Sequence, residues 1–319
     1  VSDSRLALLN LIPDSYRSNF AVVIPALNER EVVPDLIREL RETFDRYDLA
    51  GEVLLIDDGS SDGTADLAEK EGEGWAHLRV LRHRKNFGKT EAILTASEAT
   101  DRSVLIVFDA DLQHSTEEIP RFIAAIAQGW DIVCGRKIGP YNKQVVSSIY
   151  NRLSRMIFQV PVSDLNSIKA FRRSILDEIY LRHDWHRFFV VMAHARGYRV
   201  TEIDAVLLPR RAGTSKYSGV WRVLGGVMDL FSVWFLLLFS RKPLLLFGTT
   251  GTIMILAGLI VGFAAIYMRI FHDFGFRPLL TLVALLETVG FMLFGFGLVA
   301  EMVAQLREEL DDFRRRLRE

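Results

Sequence analysis

The chain has 319 residues, 50% hydrophobic and 25% charged, with a formal net charge of −1 at pH 7 and a single cysteine. That balance, with no basic stripe carrying interleaved aromatics, gives no support for nucleic-acid binding, and one cysteine excludes an internal disulfide framework. The average also conceals a split, because residues 1–216 mix apolar and charged residues while Pro243 to Met268 contains no Asp, Glu, Lys or Arg.

The amino-terminal run Val1 to Ile12 has too short an apolar stretch for a secretory signal. Phe20 to Pro25 then reads as a first strand. Glu29 to Asp45 follows as a helix, with Val32, Leu36, Leu40 and Phe44 on one face at i, i+4 spacing. Val53 to Ile56 is a second strand, and the turn Asp57 to Thr64 supplies an N-cap for the next helix. Leu78 to Leu81 makes a third strand before Asn86-Phe-Gly-Lys-Thr90 and a further helix. Alternation of this kind predicts a mostly parallel sheet with helices on its faces.

The run Val104 to Phe108 reads as a strand buried on both faces, and it stops abruptly at Asp109-Ala-Asp111-Leu-Gln113. Two carboxylates at i, i+2 and an amide, without His or Cys, are hard oxygen donors. They suit Mg2+ or Mn2+, which bind through few carboxylates together with substrate phosphates, and so point to a nucleoside diphosphate. Asn28 and Glu29, Asp57 and Asp58, Gly88 and Lys89, and Asp109 and Asp111 fall at successive strand ends, the edge where open α/β sheets bind ligands. Gly88-Lys89 lacks the spacing of a P-loop. Cys134, within Asp131-Ile-Val-Cys-Gly135, reads as a small buried core residue.

The segment 217–242 is rich in Trp, Phe and Leu and reads as interfacial helices, with Trp221 and Trp234 at headgroup depth. Pro243 to Met268 and Pro278 to Ala300 are each long enough to cross a bilayer. Within them Gly258 and Gly262 permit close helix packing, and Glu287 is expected to face a protein neighbour or water. Arg241 and Lys242 before the first span, and Arg307, Arg314, Arg315, Arg316 and Arg318 after the second, predict cytoplasmic flanks despite Arg269 and Arg277 in the connection. The resulting division is 1–216 as a cytoplasmic catalytic domain with an extension at 1–19, 217–242 as interfacial helices, 243–302 as a transmembrane hairpin and 303–319 as a charged helix. Both termini are expected in the cytoplasm of an inner-membrane protein.

Several motifs together resemble one family: Val23-Ile-Pro25-Ala-Leu-Asn-Glu29, Ile56-Asp57-Asp-Gly-Ser-Ser-Asp-Gly-Thr64, Asn86-Phe-Gly-Lys89, Asp109-Ala-Asp-Leu-Gln-His114, Gly135-Arg136, Asp164-Leu-Asn-Ser167, Lys169-Ala-Phe-Arg-Arg173 and Arg210-Arg-Ala-Gly-Thr-Ser-Lys-Tyr217. The chain resembles the family 2 glycosyltransferases of GT-A fold, specifically polyprenyl-phosphate hexosyltransferases related to dolichyl-phosphate mannose synthase and bacterial undecaprenyl-phosphate glycosyltransferases. The implied fold is α/β, a GT-A Rossmann-like mostly parallel sheet with flanking helices, plus interfacial and two transmembrane helices. The resemblance implies that Pro25, Leu27 and Glu29 border the base and ribose, that Asp57 or Asp58 accepts from the base, and that Lys89 and Ala110 lie near the donor. It implies metal held by Asp109, Asp111 and Gln113, and acceptor or donor phosphate contacts from Arg136, Lys143, Ser147, Arg210, Ser215 and Lys216. Asp164 is implied among the catalytic residues with Asp109, Asp111, Arg136 and Arg210. One departure is that Ile168 runs directly into Lys169 where many relatives have Gly after the Ser. Trp185-His186-Arg187 falls where relatives vary, leaving His186 either facing the sugar or on a helix surface.

The implied reaction transfers a hexose from a GDP-mannose or UDP-glucose class donor to undecaprenyl or dolichyl phosphate. The acceptor phosphate, with a second pKa of about 6, needs no strong base; it needs cations. A single in-line displacement inverts the anomeric centre. A processive polysaccharide synthase is the alternative enzyme, but its Gln-x-x-Arg-Trp motif and additional spans are not found. A degenerate, non-enzymatic scaffold is a further alternative, whereas every matched position here is filled. A small homo-oligomer is expected from the resemblance and from Glu287.

Overall fold

The computed structural model describes residues 8–138, 160–165, 167–179, 181, 185–209, 235, 243–272, 275 and 277–316, and the chain divides into two units, 1–227 and 228–319. In the first unit the elements run α1 (Asp14–Ser18), β1 (Phe20–Ala26), α2 (Val33–Arg46), β2 (Glu52–Asp57), α3 (Thr64–Glu71), β3 (Leu78–Arg82), α4 (Lys89–Glu98), β4 (Val104–Val107), α5 (Glu118–Ala127), β5 (Ile132–Ile138), β6 (Lys169–Arg172), α6 (Ile175–Glu178), α7 (Phe189–Ala195) and β7 (Val200–Val206). A 3₁₀ turn at Trp185–Arg187 precedes α7.

Seven strands form one sheet in the order β3-β2-β1-β4-β6-β5-β7. All neighbouring pairs are parallel except those made by β6, which runs against both β4 and β5. β1, β2 and β4 are the apolar runs read from the sequence, and nearly every residue in them is buried, as strands covered on both faces require. Val32, Leu36, Leu40 and Phe44 are all buried, as their spacing predicts. The helix carrying the last three begins later than expected, at Val33. Asn28 has φ +50, and Glu29 O accepts from the N–H groups of Val32 and Val33, so 28–32 is a turn; Pro34 then sits in the first helical turn, where no N–H is required.

Successive strands β1, β2 and β3 wind one way from β1, while β4 lies on its other side. The carboxyl ends of β1 and β4 therefore flank the point where the winding reverses, the crevice in which open α/β sheets bind ligands.

The second unit is a hairpin of α8 (Pro243–His272) and α9 (Arg277–Arg316), both with stretches long and apolar enough to cross a membrane. At 30 residues, α8 extends about 45 Å. The second span and the charged tail predicted from the sequence are, as far as Arg316, one continuous helix. Val283, Glu287, Gly290, Phe294, Gly297 and Glu301 form the stripe of α9 that meets α8. Backbones approach closely there: a Cβ on Gly251 would lie 2.6 Å from Gly290 O and 2.8 Å from Phe294 N. Glu287 faces the neighbouring span, its Oε1 buried and 2.8 Å from where a Gly258 Cβ would stand. Gly251→Val is expected to force the helices apart at a cost of about 1–3 kcal/mol. An SDS-titration midpoint for the solubilised variant equal to wild type would contradict this contact.

Candidate active site

Two loops clasp each other beyond β1 and β2. Asn28 N–H donates to Ser60 Oγ at 2.8 Å, Ser61 N–H to Asn28 Oδ1 at 2.9 Å, and Glu29 N–H to Thr64 Oγ1 at 2.9 Å. Asp62 receives Arg30 N–H, Thr64 N–H and the Thr64 hydroxyl at 3.1, 3.0 and 2.6 Å. Partial burial opposes its ionisation, but these hydrogen bonds prevail and hold its carboxyl below the usual range. Asp62, not the N-cap residue Gly63 at φ +83, thus satisfies the start of α3.

Asp57 and Asp58 are both buried, but their partners differ. Asp57 Oδ1 receives Ser60 N–H at 3.2 Å. Asp58 is committed to the chain itself: its carboxylate receives His83 Nδ1, Phe87 N–H and Gly88 N–H, each at 2.8 Å. The bond to a carboxylate makes His83 Nδ1 the donor, and Nε2 lies 2.9 Å from Thr95 Oγ1. Asp58 therefore shapes the loop that delivers Lys89, and Asp57 is the better placed of the pair to meet a ligand.

Asp109 stands two residues beyond the end of β4 and ion-pairs with Lys89 at the start of α4. Burial pushes its pKa up, but Lys89, with help from His114 and Lys137, outweighs this and brings the carboxyl down to about 2. Asp109 is thus ionised throughout the physiological range. Asp111 Oδ1 receives Gln113 N–H at 3.1 Å across Leu112, whose φ of +51 is uncommon for a branched side chain. Ala110 and Asp111 are both buried in this strained turn, directly after Asp109 in the chain. Among the described residues no three His, Cys, Asp or Glu side chains form a metal cluster. Two carboxylates and an amide still fit a cation that takes its remaining ligands from a diphosphate and water.

His114 is buried, and burial together with Lys137 lowers its pKa against the pull of Asp109, Asp111 and Asp164. Lys137 Nζ is 3.0 Å from Asp164 Oδ2. Arg136 lies elsewhere: its Nε donates to Asp204 Oδ1 at 2.5 Å and its Nη1 is 3.6 Å from Glu202 Oε1, both on β7. Neighbouring residues on a strand point to opposite faces, so Lys137 rather than Arg136 stands with Asp164 and Asp109. Cys134 is buried with its thiol pushed up to about 12, consistent with a core residue and not a nucleophile.

Residues 21–201 match the family model described as glycosyl transferase family 2. The chain is a family 2 glycosyltransferase. It is 31% identical over 299 residues to undecaprenyl-phosphate 4-deoxy-4-formamido-L-arabinose transferases of Salmonella choleraesuis (strain SC-B67) and Salmonella newport (strain SL254), an overlap covering 91% of this chain and 89% of each relative. Its fold is similar to that of Mycobacterium tuberculosis glucosyl-3-phosphoglycerate synthase in complex with Mg2+ and UDP (TM-score 0.57, 17% identity, 70% of this chain and 83% of that chain). The same enzyme with Mn2+, UDP and glucosyl-3-phosphoglycerate gives a TM-score of 0.55 at 18% identity, covering 74% and 83%.

For a family 2 glycosyltransferase, the GT-A-like sheet and the two long apolar helices are as the sequence predicts. Pro25, Leu27, Glu29, Asp57, Lys89, Asp109, Ala110, Asp111 and Gln113 all fall at the carboxyl ends of β1, β2 and β4 or at the start of α4. Lys143, Ser147, Arg210, Ser215 and Lys216 lie outside the described residues, as do Trp221 and Trp234. His186 is buried, not on a helix surface, with Nδ1 3.2 Å from Thr90 Oγ1. The sequence alone does not single out Lys137, which the fold brings to Asp164. Period-two alternation along β5 would have separated it from Arg136 had the strand's register been known.

Proposed function

We propose that this glycosyltransferase moves a hexose from a nucleoside diphosphate sugar to a polyprenyl phosphate at the cytoplasmic face of the inner membrane, inverting the anomeric centre. The observation carrying this reading is the carboxylate pair at the end of β4 with lysines on either hand, Lys89 against Asp109 and Lys137 against Asp164. Such an arrangement suits two phosphorylated substrates that repel each other. The Salmonella relatives are named for an undecaprenyl-phosphate acceptor, and the mycobacterial structures hold UDP with Mg2+ or Mn2+, which supports both halves of the reading.

Asp109, Asp111 and Gln113 would hold Mg2+ or Mn2+, which supplies charge stabilisation to the departing diphosphate. Lys89 keeps Asp109 anionic. Asp57 faces the base, and Pro25, Leu27 and Glu29 line its approach. Asp164 orients the Lys137 ammonium toward the acceptor phosphate, alongside the family positions Lys143, Ser147, Arg210, Ser215 and Lys216. Arg241 and Lys242 before the first span, with the arginines that follow the second, support a cytoplasmic catalytic unit and cytoplasmic termini. Beyond Glu301, α9 exposes Val303, Leu306, Leu310 and Phe313 at alternating three- and four-residue spacing, a seam that supports a homo-oligomer.

Lys137→Met is expected to lower kcat/KM for the polyprenyl phosphate about 10- to 100-fold, the worth of one charge-assisted hydrogen bond, while Arg136→Met stays within about threefold. Steady-state kinetics with varied acceptor decide it. The reverse order would return the acceptor contact to Arg136.

A further inference from the structure

Lys169 belongs to none of the ligand groups above. It opens β6, is 5% exposed, and its ammonium donates to Leu165 O at 2.9 Å and His186 O at 3.4 Å. Burial draws its pKa down to about 8, against the smaller pull of the Cys134 thiol and the carboxylates of Asp164 and Asp109, with Lys89 acting in the same direction as burial. Its register partners are Cys134 on β5 and Val107 on β4, neither of them a carboxylate. A buried cation is costly, and an apolar side chain of equal length would pack there at less expense. What the cation achieves is visible in its two acceptors.

Leu165 follows Asp164, the partner of Lys137. His186 reaches the other side of the site, since its N–H and Nδ1 lie 3.3 and 3.2 Å from Thr90 Oγ1, one residue from the Lys89 that pairs with Asp109. Neither carbonyl belongs to a strand ladder, and a buried carbonyl needs a donor. One ammonium therefore joins the loop bearing Asp164 to the turn abutting the start of α4.

We propose that Lys169 is a positioning residue that locks the Asp164–Lys137 pair in register with the Lys89–Asp109 pair, so that acceptor and donor are held at a fixed separation. Its role in turnover rests on the transfer reaction proposed above; its role as a bracket does not. The kinetic consequence is specific. Each substrate keeps its own contacts, while their mutual alignment, on which the rate depends, is lost.

The test uses the full-length protein in detergent or nanodiscs, as wild type, Lys169→Met, Lys169→Arg and Thr90→Ala, with hydrogen exchange and two-substrate kinetics. Lys169→Met should speed exchange in 160–168 and 185–188 together while β1, β2 and β4 stay protected. It should also cut kcat about 30-fold or more, with KM for the nucleotide sugar within about threefold. Lys169→Arg, which keeps a permanent donor, should restore protection of both segments and most of kcat. Thr90→Ala should loosen 185–188 alone, and this arm decides the wiring even if Lys169→Met fails to fold. Unchanged exchange in either segment of Lys169→Met, kcat within twofold of wild type, or loosening of both segments in Thr90→Ala would overturn the proposal. Wild-type protein that transfers no sugar to any polyprenyl phosphate, yet shows the paired exchange response, would reject the reaction and keep the bracket.

Discussion

Asp109→Asn is expected to lower sugar transfer about a thousandfold while leaving the fold almost unchanged. The amide keeps the shape of the carboxylate and removes the charge that the proposed site sets against cation and diphosphate, and loss of one such electrostatic group costs about 10²–10³ in kcat. Its effect on stability is small because the ion pair is only partly shielded: the Lys89 and Asp109 side chains are 27% and 39% exposed. The sign of the pH dependence follows from the depressed pKa. Asp109 contributes its stability above its ordinary value of 3.8, and that contribution disappears as pH falls toward about 2. At pH 7 wild type holds that contribution in full, but with the pair this exposed the variant should melt within a few degrees of it. Initial rates and melting curves on the same preparation check both halves. A variant retaining more than a tenth of wild-type rate would remove Asp109 from the centre of the site.

Asp58→Ala is expected to do the opposite, with stability falling first. Three donors converge on this buried carboxylate, two of them backbone N–H groups, and removing it strands all three. Hydrogen bonds to a charged group contribute about 1.5–3 kcal/mol each, not additively, so a total loss of about 3–5 kcal/mol is expected. In a domain of this size that lowers Tm by roughly 10 °C. Asp57→Ala, which releases a single N–H, should cost far less stability and weaken nucleotide binding instead. Melting curves of the two variants, with and without nucleotide, measure the contrast; equal losses would show that the two carboxylates share one role.

These paired outcomes also show where the sequence is legible. β1, β2 and β4 announce themselves because strands covered on both faces must be continuously apolar, and the polar residues after them mark the ligand edge. Asp109 and Asp111 stand out for the same reason: carboxylates are costly next to such a run unless used. What escapes is whatever depends on a one-residue choice or a distant partner. Asp57 and Asp58 are identical in type and adjacent, and only the fold shows that loop 83–88 claims the second. Arg136 and Lys137 are both cations, and register alone decides which faces Asp164. The antiparallel β6 and the bracket at Lys169 rest on pairings with β4, β5 and His186 that no local pattern records. The late start of α2 follows from the turn at 28–32, a detail finer than hydrophobic periodicity resolves.

The most direct test is a transfer assay with the wild-type protein, using labelled UDP- and GDP-sugars, Mg2+ or Mn2+, and undecaprenyl or dolichyl phosphate. Label from one donor is expected to enter the lipid phase as a phosphate-linked monosaccharide of inverted anomeric configuration, dependent on divalent cation. Label that stays with the nucleotide across the whole panel, or passes into a growing polymer, would contradict the proposed transfer.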